Sequence, residues 1–104
     1  MNTTIKIGGI DRKLRFGMYA MERMQEITGN GEYTALLKVL WGGLCNGSIG
    51  NIQLSIEEAE ILLEELIDNK EDGRIEIMMK AFYESSGFKK TLGLAEEEAK
   101  KKKT

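Results

Sequence analysis

At Gly17 the spacing of apolar side chains changes from every second residue to every third or fourth, and this switch limits what the chain can build. Before it, Thr3, Ile5 and Ile7 alternate on one face, Gly8-Gly9 follows, and Ile10, Leu14 and Phe16 continue with Lys13 and Arg15 opposite. A period of two around a diglycine is the signal of a β-hairpin over about residues 3–16. A lone hairpin is marginal in water, so this one must lean on the segments after it. Those segments are helical in period. The expected fold is mainly α, a small helical domain of about four helices with an N-terminal β-hairpin. The diglycine lacks the G-x-x-x-x-G-K-[ST] spacing of a phosphate loop and opens no G-x-G-x-x-G helix.

Met18, Met21, Met24 and Ile27 recur at three-residue steps with Ala20 beside them, which predicts a first helix capped near Gly29. From Glu32, residues Tyr33, Leu36, Leu37, Leu40, Trp41 and Leu44 fit the i, i+3, i+4, i+7 pattern and predict the strongest amphipathic helix. Four glycines and two asparagines between Gly42 and Asn51 then predict a loop, the expected hinge of the fold. Ser55 and Glu58 form a capping box that opens a third helix to about Asn69, with Ala59, Leu62, Leu63, Leu66 and Ile67 inward. The outer face of this helix carries Glu57, Glu58, Glu60, Glu64, Glu65 and Asp68 and is expected to be solvated. Asp68–Asp72 is expected to turn into a fourth helix, about residues 73–86, with Ile75, Met78, Met79 and Phe82 inward and a Schellman ending at Gly87-Phe88. Residues 1–94 are thus expected to form one helical domain. Residues 95–104 would be a charged, frayed tail.

A chain of 104 residues has room for one core, and its 41% apolar, 31% charged, proline-free composition suits a helix-rich globular domain. No apolar run approaches the roughly 20 residues of a membrane span, and the N-terminus does not read as a signal peptide, so no membrane contact and a cytoplasmic location are expected. Cys45 is the single cysteine and makes no internal disulfide. A net charge of −2 sets up no positive field for nucleic acid, and the glutamates at 96–98 offset the lysines at 100–103.

The residue inventory also argues against catalysis. Histidine is absent, which removes the commonest general base and the commonest metal ligand. Cys45 has no histidine partner and is expected to be a packed or idle thiol. The carboxylates of the third helix and of Asp68–Asp72 match neither a calcium loop nor a Glu-x-x-His di-iron pattern. No enzyme activity, cofactor or metal site is expected, which leaves protein–protein contact through helix faces.

Six methionines, five of them on the first and fourth helices, make those faces deformable. Met21 and Met24 are expected in the core, and Met18 with the Met78/Met79 pair at partly exposed positions. Helical phase nominates Met18, Leu37, Trp41, Met78, Met79 and Phe82 for contacts with a partner or with a second copy.

The order IKIGGIDRKLRFGMYAMERMQEITG, YTALLKVLWGGLCNG, LSIEEAEILLEELIDNK and FYESSGF, over about residues 5–88, resembles the small tail assembly chaperones of long-tailed phages and prophages. The resemblance implies a non-enzymatic helical protein in the cytoplasm of a bacterial host. It would coat the apolar tape measure protein, associate with itself along that client and give way to tail tube protein. It would be absent from the finished particle. Many such families also make a longer form by a −1 frameshift, for which the codons of Lys100–Lys103 would be suited. Two other expectations stand beside it: a small cytoplasmic helical adaptor or regulator, and a structural tail component that stays in the particle.

Overall fold

The hairpin forms where the alternation predicts it. In a computed structural model, which describes residues 2–48 and 53–85, strands β1 (Asn2–Ile7) and β2 (Ile10–Arg15) pair antiparallel with Ile7 opposite Ile10 and Thr3 opposite Leu14. The two-residue connection needs positive φ twice, and Gly8 and Gly9 supply 65° and 75°. Ile5, Ile7, Leu14 and Phe16 are buried, whereas Ile10, expected on the same face, is exposed although its cross-strand partner Ile7 is fully buried.

Four helices follow: α1 (Met18–Met24), α2 (Glu32–Gly47), α3 (Ile56–Asp68) and α4 (Arg74–Glu84), with a 3-10 turn at Lys70–Asp72 before the last. Helix α2 is central and touches β2 and each other helix. Around it Leu40, Leu44, Leu63, Leu66, Met78 and Phe82 close the core over the hairpin, and the rings of Phe16 and Phe82 meet edge to face at 5.6 Å. The capping box of α3 is present: Glu58 N–H donates to Ser55 Oγ, and Ser55 N–H donates to the Glu58 carboxylate.

Two helix expectations are corrected. Helix α1 stops at Met24 instead of reaching Gly29, because the chain tightens into three-residue bonds, Glu26 N–H to the Arg23 carbonyl and Ile27 N–H to that of Met24. That turn carries Ile27 into the core. The expected loop and hinge at Gly42–Asn51 is helix as far as Gly47. A Cβ on Gly42 would meet Met24 Cγ at 2.7 Å and the Ala20 carbonyl oxygen at 2.9 Å; one on Gly43 would meet the Phe16 ring at 2.6 Å. These glycines are a notch for α1 and the hairpin. The fourth helix ends at Glu84, and the expected ending at Gly87-Phe88 and the tail 95–104 lie outside the described residues.

Candidate protein-docking surface

Helix α1 has seven residues and Gly17 at its N-cap, too little to hold itself. Its leading N–H groups are satisfied from across the fold. Buried Asn46 of α2 accepts from Gly17 N–H at 2.8 Å and from Ala20 N–H at 3.3 Å. With Ala20 and Met24 seated against Gly42, α1 is held in one rotation about its axis. That rotation sets which methionines face out.

Met18 is 67% exposed, and Met21 and Met24 are half-buried at its three-residue steps along α1. Met21, Met24, Gln25 and Lys38 line a shallow groove of about 240 Å³ between α1 and α2. Beside it, the Arg23 guanidinium lies 5.3 Å from the Tyr19 ring centre and 5.8 Å from that of Trp41, and pairs with Glu26 at 2.7 Å. The strip is therefore soft, apolar and edged by charge, the make-up of a groove for an apolar helix.

The six residues nominated by helical phase do not come together. Met18 is exposed and Met79 is half-buried against the core. The other four, Leu37, Trp41, Met78 and Phe82, are buried, so the contacts they make are core contacts. Trp41 is 5% exposed and its Nε1 donates to the Leu54 carbonyl at 2.9 Å, which ties α2 to the segment before α3. Met78 is fully buried, so the expected exposure of the Met78/Met79 pair holds only for Met79. Met21 and Met24, expected inside, pack against the core and are half-buried there. Phase assigns a residue to a face but not the depth at which a short helix beds. The signal for that depth was the Gly42-Gly43 pair in register with a strong apolar stripe, which marks a close helix crossing.

The rest of the surface divides by charge. Glu65 is not simply solvated: its carboxylate accepts from Gly8 N–H at 3.0 and 3.2 Å and from Arg74 Nη1 at 2.6 Å. The same Arg74 nitrogen donates to the Lys6 carbonyl, and its Nε pairs with Asp72 at 2.7 Å. The Arg74 hydrogen bond foremost, then the Gly8 N–H, holds the Glu65 carboxyl below the usual range. Burial, then the Glu60 and Glu64 charges, pushes the Tyr33 phenol up. Burial also pushes the Cys45 thiol up, which disfavours the thiolate a nucleophile needs. Among the described residues no group of three or more Cys, Asp or Glu side chains is placed to hold a metal ion, and no helix is long and apolar enough to cross a membrane. No family model, curated protein or solved structure matches the chain.

Proposed function

We propose that the chain is a non-enzymatic tail assembly chaperone, acting in the cytoplasm of a bacterial host, whose α1–α2 surface shields an apolar helix of a tape measure protein. Tail tube subunits displace it as they polymerise, and it leaves before the particle is complete. The order of sequence motifs supports the reading. The observation that carries it is the exposed Met18 in line with the half-buried Met21 and Met24, which line the groove between α1 and α2. Methionine side chains repack around varied apolar partners, which suits a client made of many similar helical segments.

Co-expression with a tape measure segment tests this. The wild-type chain is expected to keep the segment in the soluble fraction, and the Met18→Glu/Met21→Glu variant to release it to the pellet with an unchanged far-ultraviolet spectrum. A client that stays soluble with the double variant, or precipitates with the wild type, overturns the reading. Recovery of the protein from purified particles would favour a structural tail component instead.

A further inference from the structure

A second groove shares no lining residue with the one between α1 and α2. It measures about 290 Å³ and is lined by Glu32, Tyr33 and Leu36 from the start of α2, Ile67 from the end of α3, Lys70 from the 3-10 turn and Ile75 from the start of α4. Leu36, Ile67 and Ile75 pack against the core but stay half-buried, so each leaves apolar surface to the groove. A volume at the low end for small-ligand sites suits one or two side chains of a partner and not a large molecule.

The charges around this groove have one sign in excess. Lys70 is the single base among the lining residues, against Glu32 there and against Glu60 and Glu64, whose charges act on the Tyr33 phenol. Glu60 is half-buried, and none of these three carboxylates takes part in an ion pair among the described residues. Glu60 and Glu64 stand one turn apart on α3, about 6 Å along its axis, where like charges repel. Tyr33 is 41% exposed, so its ring and these carboxylates together offer a cation both an aromatic surface and a counter-charge.

We propose that the groove docks a basic amphipathic segment of another protein, with an apolar side chain between Leu36, Ile67 and Ile75 and lysines or arginines paired with Glu60 and Glu64. A wholly apolar segment would leave the carboxylates unmatched, and an acidic one would meet repulsion. The site goes beyond the tape measure reading and uses none of the α1–α2 groove, so either can fail without the other.

Titration of the isotope-labelled full chain with a synthetic peptide, followed by amide chemical shifts, tests it. The probe is a capped alanine-based helix carrying a leucine and a pair of lysines a turn apart, and its twin has glutamate for lysine. Saturable shifts are expected at Tyr33, Leu36, Ile67 and Ile75 with the lysine peptide and none with its twin. Glu60→Gln/Glu64→Gln is expected to weaken binding about fivefold or more. Glu22→Gln/Glu84→Gln removes the same charge from exposed positions on α1 and α4, and at about 150 mM salt it is expected to change binding less than about twofold. No shift with the lysine peptide overturns the proposal, as does equal binding of the twin or equal weakening by the two variants. Shifts centred on Met21 and Met24 also overturn it, because the peptide then occupies the groove between α1 and α2.

Discussion

The Asn46 side-chain oxygen serves two backbone donors of a helix 26 and 29 residues earlier in the chain. Asn46→Ala strips both donors, the Ala20 N–H in a buried setting and the Gly17 N–H in a part-buried one, and is expected to lower the unfolding free energy by about 1–3 kcal/mol, read by urea denaturation. The variant should also loosen α1 first, seen as faster amide exchange at Ala20 than in α3. Glu65 is a second residue with long reach, tying the hairpin turn to α3 and α4. Its folded carboxyl is held below the unfolded value near 4.3, so its contribution is fully present above that pH and is lost as pH falls through the lowered folded value. Glu65→Gln is therefore expected to destabilise the fold at pH 7, and its stability curve to converge on the wild type's in acid. A gap that stays constant down to acid pH would show that the carboxylate charge is not responsible.

At the scale of elements, α2 departs most from expectation. Glycine costs a helix interior about 1 kcal/mol relative to alanine, so Gly42 and Gly43 in a row argued for a break. Packing outweighs that cost, because removing the Cβ lets α1 and the hairpin approach to contact distance. Gly42→Ala separates the two effects. Propensity alone would stabilise the helix, but the Ala20 carbonyl at 2.9 Å is backbone and cannot swing aside. The expected outcome is a net loss of about 1–2 kcal/mol in the denaturation midpoint analysis. Helix α3 behaves in the opposite way. Its capping box and inward leucines were legible, because each depends only on neighbours within four residues, whereas the bonds of Glu65 to Gly8 and Arg74 were not.

For the molecule as a whole, four short helices and a hairpin need most of their large side chains for one core, and Leu37, Trp41, Met78 and Phe82 go there. The same residue type then has two fates. Met78→Ala empties a fully buried site and is expected to cost about 2–5 kcal/mol, while Met18→Ala should stay within about 0.5 kcal/mol of wild type. Equal costs at the two positions, read by denaturation, would mean that Met18 is packed in solution and would remove the strip from consideration as a docking surface.

The amino-acid sequence by itself determined the hairpin and its diglycine turn, the order of four helices and the start of α3. Each of these is encoded by local period, turn chemistry or a cap within a few residues. Only the tertiary structure decided that Gly42–Gly47 is helix, that Asn46 caps α1, and that Met78 is fully buried. Those outcomes depend on how closely segments far apart in the chain approach. That distance is set by the whole core settling at once, and no single stretch of residues contains it.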